Sequence, residues 1–582
     1  MKKLLSLLLA LVMVFSLAAC ANTDTPAAEP DAPATTPSDT PSDPTATEVP
    51  PVEPTDDALT EITLPLTEEK KELSVWLIWT NDQVADPNTL ETVQYIEELT
   101  NVHVNFITVS AADAAERFQI MTASNQLPDI ILAPPSNQSV DDAIGDGWAI
   151  DMSDLVAKYM PNYRAYLAEN EFARKSLSAS DGVIKTAANI SGNDSEIKGE
   201  MQWAGLVVRT DLIEKAGYTG PLETIEDYHQ MLLTCKANLE GLDAPLYVGA
   251  TGYGITGSFL SAYGVTNSIM EIDGKVAFGP VQEGYGQWLD EMRTWYSEGL
   301  IDPNFDTVGG LDIYMAPASV VGTNKTVCFT TLYNNVGTIM PMVMGNVSDP
   351  TAVITPVLNP VLNSGDQPMI INVGTGSTTY LGDGSWTGQV FISADCKEPE
   401  LAAMWLDWLL TEEAMVASHY GKEGVHYEVD TTEGAPFKYV YKEGYQTEEE
   451  RKTTLQYLGV GRYNWDAGAQ TTAASMAALT AMYAAQGVVV DDSYQDVVDT
   501  KQMWNDQGYI RNMLNIVPNA EEMAAIATTK TDIDTRVSEY TVQYIKGQTD
   551  VPFTDFCAEL EAMGLQSVID TYQIALDRFN AK

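Results

Sequence analysis

The chain has 582 residues and a formal net charge of −51, with 82 acidic residues against 31 lysines and arginines. So acidic a protein is poorly suited to nucleic acid, whose phosphates require Lys and Arg. Its hydrophobic content of 45% is that of a globular protein, and its length allows two or more domains with substantial cores. The charge does not identify a substrate, because acidic surfaces mostly serve solubility.

The N-terminus predicts export and a lipid anchor. Lys2 and Lys3 precede an apolar stretch, residues 4–17, which is too short to span a bilayer comfortably and suits a signal peptide. The stretch ends in Leu17-Ala18-Ala19-Cys20, which resembles the lipobox of bacterial lipoproteins. We therefore expect a signal peptide over residues 1–19 and lipid on Cys20, which would hold the protein at the outer face of the cytoplasmic membrane. The alternative is an ordinary secretory signal that happens to end in cysteine.

Residues 20–60 predict a lipidated, disordered stalk. They are rich in Ala, Thr, Pro, Ser, Asp and Glu and contain no Lys, Arg or aromatic residue. Such a segment cannot bury enough apolar surface to offset its ordering entropy, and its prolines and carboxylates keep it extended. The first aromatic residue after it is Trp76, in a strand-like run where we expect the fold to begin.

Strand-like and helix-like segments then alternate, which predicts a parallel sheet with helices on its faces. The segments are a strand over 73–79, a helix over 88–99, a strand over 102–108, a helix over 112–124 and a strand over 127–132. In such sheets ligands bind beyond the carboxyl ends of the strands, which points to the loops after Trp79 and Leu132.

Helix and turn signals continue downstream. Thr224 and Asp227 form a capping-box pair at the start of a helix. Residues 285–298 predict a helix with Trp288, Leu289, Met292, Trp295 and Tyr296 on one face. The segment Leu401–Leu410 is apolar nearly all round and predicts a buried helix. Asp273-Gly274 and Asp383-Gly384 predict turns.

Several segments, taken in their order and spacing, resemble the family 1 extracellular solute-binding proteins, which are distantly similar to maltose-binding protein. The resemblance is greatest to their large lipoprotein branch in Firmicutes. The matching segments include LSVWLIWTND, IEELTNVHV, IMTASNQLPDII, GLVVRTDLIEKAGYTGPLETIEDYHQML, WLDEMRTWYSEGLIDPNF, ISADCKEPELAAMWLDWLLTEEAM and AMGLQSVIDTYQIALDRFN. The resemblance implies an α/β, two-lobed, periplasmic-binding-protein-like fold, with a mainly parallel sheet flanked by helices in each lobe, a hinge, and the ligand between the lobes.

The same resemblance implies the domain organisation. It assigns residues 61–200 and 349–425 to the N-terminal lobe and residues 201–348 and 426–582 to the C-terminal lobe. Its implied function is capture of a solute, most often an oligosaccharide in this branch, for an ABC permease, by a monomer that needs no cofactor. A non-sugar solute such as a peptide, a surface glycoside hydrolase with a carboxylate pair, and an adhesive surface protein are the alternatives.

A sugar is held by aromatic faces, with carboxylates, amides and Arg around its rim. The candidates lie at loop positions where the implied two-lobed architecture opens its cleft, and Trp203 and Arg209 flank the crossover that the resemblance implies near residues 201–208. Each could instead serve core packing. The candidate ligand contacts are Trp79, Asn81, Asp82, Trp203, Arg209, Tyr253, Tyr333 and Trp386. We expect no catalytic residue and no metal ligand.

Two motifs and the cysteines favour structural roles. Gly252-Tyr-Gly254-Ile-Thr-Gly257 matches a dinucleotide-binding pattern, but the Asp273-Gly274 turn predicts a hairpin after it rather than a βαβ unit. His419, Glu423 and His426 lack the spacing of a zinc protease site. A structural calcium ion stays open, although no EF-hand pattern is present. The four remaining cysteines form no paired pattern, and we expect buried free thiols at Cys235, Cys328, Cys396 and Cys557.

Overall fold

A computed structural model of the chain describes residues 59–582, apart from 80, 82, 136–138, 192–199, 203, 251–253, 308–322, 337–351, 371–373, 376–388, 434, 436, 488–493, 507, 512, 514, 515 and 517. The predicted signal peptide, Cys20 and nearly all of the stalk lie outside the described residues. The Asp383-Gly384 turn lies outside them as well.

The described residues form strands and helices in alternation. The strands are β1 Lys71–Ile78, β2 Val102–Val109, β3 Ile130–Leu132, β4 Ala187–Ala188, β5 Ile190–Ser191, β6 Glu200–Met201, β7 Ala204–Arg209, β8 Leu246–Tyr247, β9 Ile269–Ile272, β10 Lys275–Phe278, β11 Cys328–Leu332, β12 Ile354–Pro356, β13 Gly374–Thr375, β14 Gln389–Ile392, β15 Tyr427–Val429, β16 Tyr439–Tyr441 and β17 Arg462–Tyr463. The α-helices are α1 Glu91–Thr100, α2 Ala114–Ser124, α3 Val140–Gly145, α4 Ser153–Tyr159, α5 Pro161–Glu169, α6 Glu171–Leu177, α7 Thr210–Ala216, α8 Ile225–Asn238, α9 Glu283–Ser297, α10 Pro399–Trp408, α11 Glu412–Tyr420, α12 Glu448–Arg451, α13 Trp465–Ala485, α14 Tyr494–Asn505, α15 Ala520–Ile545, α16 Phe553–Ala562 and α17 Leu565–Ala581.

The first sheet has the strand order β2-β1-β3-β14-β4. Strand β1 is parallel to β2 in an unbroken register and is also parallel to β3. It buries both faces, since Val75 packs in one core while Trp76 packs against Phe118 in a second cluster. Burial of both faces is typical of parallel strands, whose connecting helices cover the sheet. The predicted alternation of strands and helices is thereby confirmed for this part of the chain.

The second sheet has the order β12-β7-β11-β8 and its own hydrophobic core. All six residues of β7 are buried. Strand β11 is parallel to β8, whereas β7 is antiparallel to β11 and β12 is antiparallel to β7. Trp288 and Trp295 of α9 are fully buried in this core, as the sequence predicted.

The two-lobed α/β fold predicted from the sequence is confirmed, and strand direction refines it. Strands β6 and β13 pair with each other. Strand β6 lies two residues before β7, and β13 is the strand before β14, although residues 376–388 between them lie outside the described residues. Each of these following strands enters its sheet at the edge where the parallel strands end, and therefore runs antiparallel to them. The predicted mainly parallel pairing holds for β1, β2 and β3, whereas the second sheet is mixed.

The predicted lobe boundaries stay predictions. Two segments near them contact the lobe to which they were not assigned. Strand β12, predicted in the N-terminal lobe, pairs with β7 of the second sheet. Val460, predicted in the C-terminal lobe, packs in the core of the first sheet. We propose that the crossovers lie after about residue 370, since Val361 and Ile370 still pair with segments of the second lobe, and after about residue 464.

Local predictions are confirmed at several helices. Thr224 and Asp227 form the capping box of α8, with the Asp227 carboxylate accepting from the Thr224 N–H over 2.7 Å. Helix α10 is buried nearly all round. Strands β9 and β10 form the hairpin predicted at Asp273-Gly274. Among the helices of the described ranges, none has the length and apolarity needed to cross a membrane.

Candidate functional site

Trp79 lies at the edge of the first sheet where the parallel strands end. It follows β1 directly, and its backbone N–H donates to the carbonyl of Val109 over 2.8 Å. Its indole N–H donates to the carbonyl of Val84 over 2.6 Å, and its half-buried ring packs with Val84, Leu90 and Leu458. The indole N–H is thus engaged within the chain, so Trp79 can offer a ligand only ring surface.

Asn81 is 6% exposed and is bonded within the chain at both ends of its amide. Its Oδ1 accepts from the N–H groups of Gln83, over 2.9 Å, and Val84, over 3.2 Å. Its Nδ2 donates to the carbonyl of Lys452 over 2.6 Å and to Oε1 of Gln456. An amide has two donor protons and an acceptor oxygen with two lone pairs, so this set uses its full capacity.

Tyr333 lies at the corresponding edge of the second sheet. It follows β11 and opens the 3₁₀ turn Tyr333–Asn335. Because Leu332 pairs with Ala204, Tyr333 lies beside the start of β7. Its side chain is 8% exposed, which leaves a narrow part of the ring for a ligand.

We take these two strand edges, one in each sheet, as the walls of the candidate ligand cleft. Strand β7 begins at the edge where β8 and β11 end. Strand β14 begins at the edge where β3 ends, because Val390 pairs with Leu132. Strand β7 comes two residues after β6, which pairs with β13, whereas residues 376–388 between β13 and β14 lie outside the described residues.

Arg209 lies at the other end of β7 from this cleft. Ala204 and Arg209 are the two ends of the strand, and at a rise of about 3.4 Å per residue they are roughly 17 Å apart. The Arg209 side chain is fully buried, and its Nε and Nη2 donate to the two carboxylate oxygens of Asp211 over 2.8 and 2.7 Å. The structure therefore does not bring Arg209 together with Tyr333, and its role in ligand binding stays a prediction.

Four predicted contacts lie outside the described residues, namely Asp82, Trp203, Tyr253 and Trp386. They also stay predictions. In sequence, Trp203 directly precedes β7, Tyr253 follows β8, and Trp386 precedes β14 by three residues.

Helix α14 supports the second edge and was missed by sequence reasoning. The fully buried ring of Trp504 packs on Gly205, where an added Cβ would lie 2.7 Å from the indole. Its indole N–H donates to the carbonyl of Val357 over 2.9 Å, and Oδ1 of the adjacent Asn505 accepts from the Gln202 N–H over 2.9 Å. The available signal was one large aromatic residue on a weakly patterned helix, which does not reveal its partner.

Comparison with known proteins decides the family. Residues 86–416 match the family model described as bacterial extracellular solute-binding protein. The chain belongs to this family. A relative from Streptococcus pneumoniae, the fructooligosaccharide ABC transporter substrate-binding protein FusA, is 28% identical over 267 residues, which cover 42% of this chain and 48% of the relative. The chain thus matches about half the length of that curated relative.

Solved structures share the fold of this solute-binding protein. FusA of S. pneumoniae in complex with kestose has a TM-score of 0.59 at 20% identity, covering 88% of this chain and 99% of that one. An extracellular solute-binding protein from Bifidobacterium longum subsp. infantis has a TM-score of 0.65 at 15% identity, covering 88% and 98%. At these identities the likeness concerns the fold alone.

His419 and His426, which with Glu423 were considered as a metal site, have separate structural partners in this solute-binding protein. His419 stacks on Tyr457 with ring centroids 4.4 Å apart, and its Nε2 accepts from the Asn464 N–H over 3.0 Å. His426 bonds to Glu91 through Nε2 over 2.8 Å. Within the described ranges, no three His, Cys, Asp or Glu side chains are placed to hold a metal ion.

The Asp407 carboxyl and the four cysteine thiols also lie in structural surroundings. Burial raises the pKa of the Asp407 carboxyl, which accepts hydrogen bonds from the backbone N–H groups of Asn162 and Tyr163 at the start of α5. All four cysteines beyond Cys20 are free thiols; Cys235 and Cys328 are buried, whereas Cys396 and Cys557 are half-buried. Burial raises the pKa of the Cys235 thiol to about 12, which disfavours the reactive thiolate.

Proposed function

We propose that this chain captures an oligosaccharide between its two lobes and delivers it to the permease of an ABC importer. Membership of the solute-binding family supports the capture. The name of the 28% identical relative, a fructooligosaccharide ABC transporter substrate-binding protein, supports the sugar and the importer. The structure of that relative in complex with kestose makes this neutral trisaccharide the first probe.

The observation that carries the sugar proposal is an aromatic side chain at each edge of the cleft. Trp79 follows β1 and Tyr333 follows β11, and aromatic rings stack on the apolar faces of sugars. Asp82, Trp203, Tyr253 and Trp386 complete the proposed contacts, and closure of the lobes around the sugar would create the form that a permease recognises.

The anchor is a separate part of the proposal. A lipid on Cys20 and the stalk of residues 20–60 would keep the captured sugar close to the permease and raise its effective local concentration. Replacing Cys20 by Ala tests this directly. We expect the C20A protein to appear in the culture medium, while the wild-type protein stays with the membrane; equal membrane retention of both would contradict the anchor.

Calorimetry on the full chain in detergent tests the binding function. We expect saturable binding of kestose or another neutral oligosaccharide, one molecule per monomeric chain, with the sugar recovered intact. Release of new reducing ends at turnover rates would identify a glycoside hydrolase instead. Binding of short peptides without binding of any sugar would identify the non-sugar alternative.

A further inference from the structure

A segment far along the chain contacts the predicted ligand loop of the first lobe, residues 79–90. We call residues 446–458, which include α12, the brace segment. Asn81 in the loop donates to the Lys452 carbonyl, 371 residues away in sequence. The brace segment lies beyond residues 86–416, the part of the chain that matches the family model.

The brace segment also completes the helix that follows the loop. Leu90, the N-cap of α1, makes no side-chain capping bond. The Thr454 carbonyl instead accepts from the N–H groups of Glu91, over 2.8 Å, and Thr92, over 3.4 Å. The first N–H groups of a helix have no partner within it, so this remote carbonyl fixes where α1 begins.

Asn81 connects the brace segment to Trp79. Its Nδ2 holds the brace segment, while its Oδ1 accepts from the Val84 N–H. The Val84 carbonyl in turn accepts from the Trp79 indole. The position of the Trp79 ring therefore depends on Val84, and the position of Val84 depends on the Asn81 amide.

From this chain of contacts we infer that Asn81 is a positioning residue, through which the brace segment sets the orientation of Trp79 in the ligand cleft. The inference rests on the proposed function, because it assumes that Trp79 meets the ligand. It replaces the predicted direct contact of Asn81 with an indirect one, since both ends of the amide are already bonded. A cleft wall fixed before binding loses less conformational freedom when the ligand arrives, which increases affinity.

The variant N81D tests the inference. Aspartate keeps the acceptor for Gln83 and Val84 but has no proton to donate to the Lys452 carbonyl, so this bond to the brace segment is lost while the turn remains. We expect N81D to bind kestose about tenfold more weakly, as for the loss of one hydrogen bond of ordinary net strength. In the ligand-free protein, amide hydrogen exchange should accelerate about tenfold over residues 79–90 and 446–458 and stay unchanged elsewhere.

A matched control and a rescue variant accompany N81D. The Asn101 amide also bridges remote carbonyls in this lobe, donating to Thr67 over 3.0 Å and Glu68 over 3.3 Å, but at the opposite edge of the sheet. N101D should therefore leave kestose affinity unchanged. The double variant N81D/Q456K places an ammonium group opposite the new carboxylate, and it should restore most of the affinity and the slow exchange.

Three results would overturn the inference. The first is wild-type affinity in N81D, whatever its exchange. The second is faster exchange throughout the lobe, which would make Asn81 a general structural residue. The third is unchanged exchange over residues 79–90. If the wild-type protein binds no sugar at all, the proposed function fails, and the exchange data still decide whether the brace segment holds the loop.

Discussion

The two edges of the cleft are both supported by segments from late in the chain, but by different interactions. At the first edge, the brace segment holds the 79–90 loop through the Asn81 side chain and the Thr454 carbonyl. At the second edge, α14 packs the Trp504 ring on Gly205 and contacts the turn that Tyr333 opens. Hydrogen bonds exchange readily with water, whereas a buried indole cannot be removed without leaving a cavity. We therefore expect the second support to govern stability and the first to govern affinity.

The variant W504A should show the largest effect. Removing a fully buried indole from its contact with Gly205 leaves a cavity, which costs about 3–5 kcal/mol of unfolding free energy. Denaturant unfolding measures this loss. V498A, at a partly exposed position on the same helix, is the control and should change stability by less than about 0.5 kcal/mol. A loss below about 1 kcal/mol in W504A would mean that α14 does not support this edge.

Substitution of the cleft aromatics comes next. Y333A and W386A should each weaken sugar binding by about 1–3 kcal/mol if these rings are central anchors. Calorimetry measures the affinity, and Y333F, which keeps the ring, is the control for Tyr333. Normal affinity in both alanine variants would remove these two residues from the site.

Acid should weaken the first lobe through His419. Burial lowers the pKa of His419 from 6.5 to about 3, so the unfolded chain binds a proton between these values that the folded chain does not. The stability that neutral, buried His419 contributes to the folded state is thus present above pH 6.5 and is lost progressively as pH falls from 6.5 towards 3. At pH 5 the loss of unfolding free energy relative to pH 7 is about 2 kcal/mol. Unfolding of the wild-type protein and H419Q at both pH values measures the difference; an identical pH dependence would contradict the assignment.

The surface ion pair between Lys422 and Glu98 should have the smallest effect on stability and affinity. Lys422 and Glu98 join α1 to the turn after α11 at 3.5 Å, but both side chains are largely exposed. Solvent screens such pairs, so K422A should change unfolding free energy and sugar affinity by less than about 0.5 kcal/mol. A larger loss of affinity would show that surface charge, in addition to the Asn81 amide, positions the loop.

Sequence patterns predict this molecule best where contacts are local. The strand and helix alternation up to Leu132, the Thr224 capping box and the buried face of α9 depend on neighbouring residues, and the structure confirms each of them. They also placed Trp79 at the carboxyl end of a strand. The position of a residue along a strand is local information, so it can be predicted without knowledge of the tertiary fold.

The supports of the cleft could not be predicted in this way. Asn81 was expected to touch ligand because of its loop position, yet its partners Lys452 and Gln456 lie more than 370 residues away. Arg209 was expected there because it flanks the crossover, but a strand has two ends, and the pairing of Leu332 with Ala204 puts Tyr333 at the other one. Long-range pairing determines the surroundings of both side chains, and a single sequence does not reveal it; their contact with a ligand stays a prediction.

Calorimetric titration of the full-length protein with a panel of neutral oligosaccharides, followed by chromatography of the recovered sugar, tests the central claim most directly. The account predicts that kestose or a related oligosaccharide binds saturably, one molecule per chain, and is recovered intact. Absence of binding across the panel, or recovery of cleaved sugar, would contradict it.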